Sequence, residues 1–173
     1  DFITPKSRTS LRYRNAVLEL AETEPFARPL VNSGRLSTPT PYLHSSLNTS
    51  DEDAFAGAMK PGTNCADAPV RHGDKQTWLL NVLHELHGPA GGFTLLVFGD
   101  SAALENVGDG HITARVLTVG GDIEDVQGLL AKRYDADPGT VYLIRPDHHV
   151  AARWRAFDAA KVRAALRRCI GDY

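Results

Sequence analysis

Two histidines, His84 and His87, lie three residues apart, and on a helix this spacing can place two imidazoles on one face as metal ligands. Both fall off the apolar stripe of the helix in which we place them, and no nearby cysteine or third ligand completes a coordination set. We therefore interpret them as solvated histidines. His148 and His149 lie in or beside a predicted turn, where a surface position is favoured over a ligand pair. No metal site is predicted.

Thiol chemistry is the second candidate. Thioredoxin-type exchange requires two cysteines separated by two residues at the start of the helix after the first central strand, where the helix lowers the pKa of the attacking thiol. Here residues 99–103 hold that place with the sequence Gly-Asp-Ser-Ala-Ala. The two cysteines, Cys65 and Cys169, are far apart in sequence. We predict reduced thiols, with Cys169 on a buried helix face, although the sequence leaves one disulfide open. Redox activity is not expected.

Glycine-rich segments could cradle a phosphate. Residues 88–92 precede a strand, whereas a phosphate cradle follows a strand and opens a helix. Gly120 and Gly121 do follow a strand, but they lack the dinucleotide spacing of three glycines, and Asp122 would repel a phosphate. We predict a tight turn with an acidic helix cap. Since no nucleophile-elbow motif is present either, no catalytic, cofactor-binding or metal residue is predicted.

Charges are segregated along the chain. We interpret the basic group near the end as a solvated helix face; the alternative is complementarity across a subunit or interdomain contact, and Trp154 could belong to the core or to such a contact. A net charge of −2 argues against nucleic acid, and the apolar run 93–98 is too short to span a bilayer. With two unpaired thiols, a cytoplasmic setting is expected. The basic group is Arg153, Arg155, Lys161, Arg163, Arg167 and Arg168; the acidic group is Asp100, Glu105, Asp109, Asp122, Glu124 and Asp125.

The first element is an amphipathic helix, with Thr9 or Ser10 as its cap and Pro25 as its stop. A shorter helical turn over 26–31 should end at Gly34. Residues 35–66 are rich in Pro, Ser and Thr without periodicity, and we predict an extended connecting strap. Residues 67–70 then add an edge strand. The buried face of the first helix is Tyr13, Ala16, Val17, Leu20 and Ala21.

From Trp78 onward the pattern predicts an α/β alternation: a helix over 79–86, a strand over 93–98, a short helix near 101–105 and a strand over 112–119. A strand over 141–144, a turn over 145–148 and an antiparallel strand over 149–154 follow. Between the strands over 112–119 and 141–144 we predict a helix that begins at Asp122 and Asp125. Its inward residues are Ile123, Val126, Leu130 and Tyr134. Asp158 caps a last helix with the inner face Val162, Ala165, Leu166, Cys169 and Ile170.

This order of elements predicts an α/β fold of the thioredoxin-like type, a central mixed sheet flanked by helices. Pro138 takes the place where thioredoxins keep a cis-proline. The trans form is the expectation, and a cis bond is left open.

The sequence around 2–51, including Asn-Ser-Gly-Arg-Leu-Ser at 32–37, resembles the point where flavin-dependent aromatic hydroxylases of the phenol hydroxylase and 3-(3-hydroxyphenyl)propionate hydroxylase type leave their catalytic domain. Leu-Ile-Arg-Pro-Asp at 143–147 continues the resemblance. It implies that 1–34 are the helical tail of a catalytic domain lying upstream, 35–66 the strap, and 67–173 a thioredoxin-like domain.

The resemblance also implies a parent enzyme that uses NAD(P)H to reduce FAD, which then reacts with oxygen to hydroxylate a phenolic ring. The flavin-binding motifs would lie upstream of Asp1, so no such residue is carried over. The chain resembles the family's non-catalytic accessory domain, which packs on its own FAD-binding domain and can take part in a homodimer. The alternatives are a stand-alone binding module of thioredoxin fold without redox activity and an independent reductase. Relatives commonly have Gly at His148, so a strained or left-handed backbone is expected there.

Overall fold

The computed structural model describes residues 4–31, 39–99, 105–108 and 110–172. The chain divides into two compact units, residues 1–39 and 40–173, which we call unit 1 and unit 2.

Unit 1 is helical. Helix α1 spans Arg8–Thr23, a 3₁₀ turn spans Pro25–Ala27, and helix α2 spans Arg28–Val31. The cap of α1 is Ser7, whose hydroxyl accepts a hydrogen bond from the Ser10 amide at 3.1 Å. The prediction of Thr9 or Ser10 as the cap was therefore wrong, because Ser7 is the last residue with an extended backbone. Gly34, the predicted end of the second helical turn, lies outside the described residues.

Unit 2 is built on one mixed sheet with the order β2-β1-β6-β5-β3-β7-β8, and β4 pairs with β5. The pairs β3/β5 and β5/β6 are parallel, and the others are antiparallel. The predicted mixed α/β architecture is confirmed. The strands are β1 Pro69–His72, β2 Lys75–Trp78, β3 Phe93–Phe98, β4 Val107–Gly108, β5 Thr113–Val119, β6 Ile123–Glu124, β7 Val141–Ile144 and β8 Val150–Trp154.

Three helices cover the two faces of this sheet: α3 Leu79–His87, α4 Leu129–Tyr134 and α5 Ala159–Cys169. Successive residues of β3 enter different cores, because side chains alternate across a strand. Leu96 packs with residues of α3 and α4, whereas Leu95 packs with residues of α5. The nearly continuous apolar run of β3 is thus buried on both sides, as its sequence predicted. Trp154 is also core, with 3% of its surface exposed.

Two strand predictions need correction. Strand β1 is not at the edge of the sheet, since it pairs with β2 on one side and β6 on the other. The hairpin partner β2 was not predicted, because its sequence, Lys-Gln-Thr-Trp, is mostly exposed and lacks a buried face. It is the terminal strand of the sheet, where polar side chains are common.

The prediction of a helix that begins at Asp122 and Asp125 was also wrong. Ile123 lies on β6, and α4 begins only at Leu129, after Gly128 with φ of 64°. A left-handed residue cannot continue a right-handed helix, so the helix is confined to the residues after it. Asp122 closes the preceding turn instead: its Oδ2 accepts hydrogen bonds from the Thr118 amide and hydroxyl at 2.8 and 2.7 Å.

Two smaller predictions concern the remaining helices. Asp158 does cap α5, accepting hydrogen bonds from the amides of Ala160 and Lys161. Ile170 is not part of the inner face, since it follows the last residue of α5 and is 53% exposed. The short helix predicted near 101–105 falls almost wholly outside the described residues.

The β7–β8 hairpin has the predicted turn. His148 has φ of 60°, the left-handed backbone expected for it. Its amide donates to the Arg145 carbonyl at 2.9 Å. Every peptide bond among the described residues is trans, the bond to Pro138 included.

The strap has no regular secondary structure over 40–66, yet it lies along β8. The amides of Gly62 and Cys65 donate to the carbonyls of Val150 and His148 at 2.7 and 2.8 Å, and the Val150 amide donates to the Thr63 carbonyl at 2.8 Å. The strap therefore pairs with the edge that β8 would otherwise leave open.

Candidate functional site

The position of the thioredoxin thiols is the carboxyl end of β3. There Gly99, with φ of 100°, donates its amide to the Val119 carbonyl at 2.9 Å. A β-carbon on Gly99 would meet Pro138 at 3.4 Å, so this end of the strand lies against the loop before β7. Neither cysteine of the chain is at this position.

Both thiols are free and poorly suited to nucleophilic chemistry. Burial raises the pKa of Cys65 to about 12, against a weaker opposing effect of the Tyr134 hydroxyl. Burial likewise raises the pKa of Cys169 to about 11, and its Sγ donates to the Leu47 carbonyl at 3.6 Å. Because the thiolate is the reactive species, neither side chain supplies one near neutral pH.

The predicted solvated histidines occupy different environments. His84 is exposed, but His87 is half-buried, with its Nε2 at 2.8 Å from the Thr94 hydroxyl. Burial, and to a lesser degree the charge of Arg115 and the neighbouring His148, lower the pKa of His87. The interpretation as a solvated side chain was wrong for His87. The β7–β8 turn brings His148 to the same cavity. His148 follows His87 by 61 residues, so the local sequence pattern could not predict that they lie close together.

These side chains border a cavity of about 140 Å³, which we call the histidine cleft. Within the described parts of the chain, no three His, Cys, Asp or Glu side chains are grouped closely enough to hold a metal ion. The lining comprises Leu83, His84, His87, Gly88, Pro89, Gly91, Gly92, Thr94, Ile144, Arg145, Pro146 and His148.

The basic group near the end of the chain holds the strap. Arg153, only 2% exposed, donates to both carboxylate oxygens of Asp51 at 2.9 and 2.6 Å. Lys161 pairs with Glu52 at 2.6 Å on the surface. The interpretation as a solvated face was therefore wrong for Arg153. These two partners, Asp51 and Glu52, are strap acids about a hundred residues away in sequence, which is why sequence reasoning missed them.

Arg155 forms the second part of this contact. Its amide donates to Asp53 Oδ2 at 2.8 Å, and its guanidinium pairs with Asp135 at 2.7 Å. Two guanidinium groups lie over the ring of the strap residue Phe55, with the Cζ of Arg153 at 4.3 Å and the Cζ of Arg155 at 3.9 Å from the ring centroid. Such cation–π contacts add to the ion pairs.

Asp135 joins the strap to the end of α4. With φ of 49°, it accepts a hydrogen bond from the Ala56 amide at 2.8 Å. That backbone hydrogen bond, together with the Arg155 side chain, lowers the pKa of Asp135. A β-carbon at Gly57 would approach the Asp135 side chain to 2.8 Å, so only glycine permits this close passage of the strap.

The family follows from the sequence model described as "Aromatic-ring hydroxylase, C-terminal", which matches residues 58–172. The chain belongs to this family. No curated protein matches the chain.

Solved structures give the same fold for this hydroxylase C-terminal domain. The flavin-dependent monooxygenase PieE, solved with FAD and substrate, has a TM-score of 0.62 at 22% identity, covering 97% of this chain and 31% of that one. Aklavinone-11 hydroxylase, solved with FAD and aklavinone, has a TM-score of 0.58 at 22% identity, covering 78% and 26%. The rebeccamycin biosynthetic enzyme RebC, in its substrate-free form, has a TM-score of 0.54 at 21% identity, covering 97% and 29%. The chain thus spans less than a third of each enzyme.

The glycine turn after β5 is not arranged to hold the phosphates of FAD. The glycine turn after β5 is closed by the Asp122 carboxylate, which takes the Thr118 amide and hydroxyl that an anionic group would need. A β-carbon at Gly121 would meet the Thr118 hydroxyl at 2.5 Å. A dinucleotide phosphate would therefore face both a carboxylate and a filled turn.

No helix of the described residues is both long and apolar enough to cross a membrane.

Proposed function

We propose that this chain is the non-catalytic accessory domain at the carboxyl end of an FAD-dependent aromatic hydroxylase, which uses NAD(P)H and oxygen to hydroxylate a phenolic substrate. The observation that carries the proposal is the family match over residues 58–172. Two solved neighbours of the same fold are described with bound FAD and a substrate, aklavinone in one of them. In the parent enzyme the flavin would be held by the upstream domain.

The chemistry of the chain supports an accessory role. Its two thiols have raised pKa values, and its glycine turn is closed by an aspartate. Its task would be domain packing, oligomer contacts and shielding of the active site from water.

We further propose the division into a helical tail at 1–34, a connecting strap at 35–66 and a thioredoxin-like domain at 67–173. The tail would belong to the catalytic domain, which is the partner expected to cover its apolar side chains. Unit 1 exposes Tyr13, Phe26 and Leu30 by 65%, 68% and 59%, and exposed apolar groups of this kind mark contact sites. A homodimer contact and a cytoplasmic location, consistent with free thiols, complete the proposal.

The test begins with the gene upstream of the Asp1 codon. An open frame encoding Gly-x-Gly-x-x-Gly between a strand and a helix is expected. The full-length protein should then carry FAD and oxidise NAD(P)H in the presence of a phenol. A start codon immediately upstream, with no flavin domain, would instead favour a stand-alone binding module.

The accessory role is tested on the present chain. Titration with FAD, followed by flavin fluorescence, should give no saturable binding, and the chain should not reduce the disulfides of insulin. Tight flavin binding or disulfide reduction would contradict the assignment as non-catalytic.

A further inference from the structure

We propose that the histidine cleft binds a small organic anion, namely a monocarboxylate with an apolar body. The inference is independent of the proposed function, because the cleft is formed wholly within unit 2. It joins an apolar wall to a wall of cationic and ionisable side chains, and none of the described residues that line it is acidic.

The apolar wall sets the size of the ligand. Leu83 of α3, Ile144 of β7 and the rings of Pro89 and Pro146 face the cavity of about 140 Å³. A protein cavity of about 150 Å³ holds a benzene molecule. An apolar body the size of one six-membered ring therefore matches the space.

The polar wall sets the charge of the ligand. His84 and His87 lie in the last turn of α3, and His87 Nε2 is 2.8 Å from the Thr94 hydroxyl. Arg145 and His148 reach the cleft from the β7–β8 turn. Two elements thus direct cationic or protonatable groups at one small volume, which favours a carboxylate there.

The geometry of the cleft is fixed before any ligand binds. The hydroxyl of Thr94, a residue only 1% exposed, is hydrogen-bonded to His87 Nε2. The His87 imidazole lies so close to Gly92 that a β-carbon on residue 92 would overlap it. A β-carbon on Gly91 would lie 3.2 Å from Pro146. A preformed site loses little conformational entropy on binding.

Other charges near the cleft make its affinity depend on pH. Asp147 pairs with Arg145 at 2.7 Å and lies 3.4 Å from His149, so the arginine charge is partly neutralised. Arg115 of β5 donates to the Leu86 carbonyl at 2.6 Å and adds positive charge at the last turn of α3. Histidine is the side chain that ordinarily changes charge between pH 5 and 8, so the cleft should gain positive charge and bind an anion more strongly as the pH falls. His87 should contribute least to this gain, because its pKa is lowered by burial.

The test is a titration of the chain with benzoate at pH 6 and pH 8, followed by calorimetry and by NMR of the cleft residues. Saturable binding is expected at pH 6, and weaker binding at pH 8. Benzyl alcohol, which lacks the charge, and acetate, which lacks the ring, should each bind about tenfold more weakly or worse.

His148→Gly is the decisive variant, since glycine accepts φ of 60° without strain and the fold should persist. It should weaken benzoate binding about tenfold, as should His84→Gln on the exposed rim. His72→Gln, on β1 away from the cleft, should leave binding unchanged.

Three results would overturn the proposal. One is the absence of saturable benzoate binding at pH 6 in a folded protein. Another is benzoate binding that His148→Gly and His84→Gln do not weaken. The third is equal binding of acetate and benzoate, which would remove the apolar body from the assignment.

Discussion

Helix α1 and the strap differ in a way that their sequences do not suggest. Helix α1 is regular and amphipathic, yet Val17 is its only described residue that is buried, and Tyr13 and Leu20 of its predicted inner face are 65% and 40% exposed. The strap is irregular and polar, yet it is bound to β8 by backbone hydrogen bonds and to the basic group by ion pairs. Regular local structure and tertiary fixation are separate properties, and each requires its own partners.

The largest effect should come from removing the partly buried ion pair between Asp51 and Arg153. Asp51→Ala leaves Arg153 buried without its carboxylate, and the free energy of unfolding should fall by about 3 kcal/mol. Urea denaturation followed by circular dichroism measures this change. Glu52→Ala, which breaks the exposed pair with Lys161, is the control and should have no measurable effect. Equal losses for both variants would mean that burial of Arg153 does not matter.

A phenylalanine can be replaced in each region, Phe55 in the strap and Phe26 in unit 1. Phe55→Ala removes a half-buried ring that contacts both Arg153 and Arg155, and we expect a loss of about 2 kcal/mol in unfolding free energy. Phe26→Ala, in unit 1, removes a ring that is 68% exposed and should change stability by less than about 0.5 kcal/mol. Thermal and urea denaturation of the two variants measures both changes. A larger loss of unfolding free energy for Phe26→Ala than for Phe55→Ala would contradict this prediction.

A smaller effect is expected at the start of α1. Ser7→Ala removes the hydroxyl that accepts a hydrogen bond from the Ser10 amide, and the helix should lose about 1 kcal/mol of local stability. Amide hydrogen exchange over residues 8–12 should speed up, while exchange in β3 should not change. Faster exchange throughout unit 2 would contradict the separation of the two units.

The smallest effect concerns pH. The folded-state pKa of Asp135 is lowered, chiefly by the Ala56 amide, so its carboxylate contributes stability above the ordinary aspartate pKa. That contribution is lost as the pH falls through the lowered pKa. The stability difference between the wild type and Asp135→Asn should therefore be largest near neutral pH and shrink in acid. A difference that stays constant down to pH 2 would exclude this linkage.

The sequence predicted the elements whose burial leaves a pattern. Strand β3 is an apolar run, the Arg145–His148 turn has Pro at its second position, and Asp158 stands at the start of α5, so each was found from local residues. Strand β2 and the single-residue pairing of Ile123 with Val119 carry no such pattern. Both β2 and β6 also pair with β1, so their formation has a tertiary cause.

The candidate sites were less predictable than the fold. The strap acids Asp51 and Asp53 contact Arg153 and Arg155, each across 102 residues, and nothing in their local sequence names those partners. His84 and His87 were noticed through their spacing, but His148 joins them only when the β7–β8 turn folds back. A reversal of chain direction far from α3 cannot be seen in the pattern of α3 itself.

The strap along β8 also decides how copies of this protein could aggregate. With β8 paired internally, the sheet order of the described residues leaves β2 as its other terminus, so a strand from another molecule would have to add there. That end carries Lys75 and the half-exposed Trp78. The lysine charge opposes pairing with another strand, whereas the exposed indole ring favours it. Growth of the sheet into a fibril would need a second open end, and the strap removes it, so pairing at β2 would stop at two molecules.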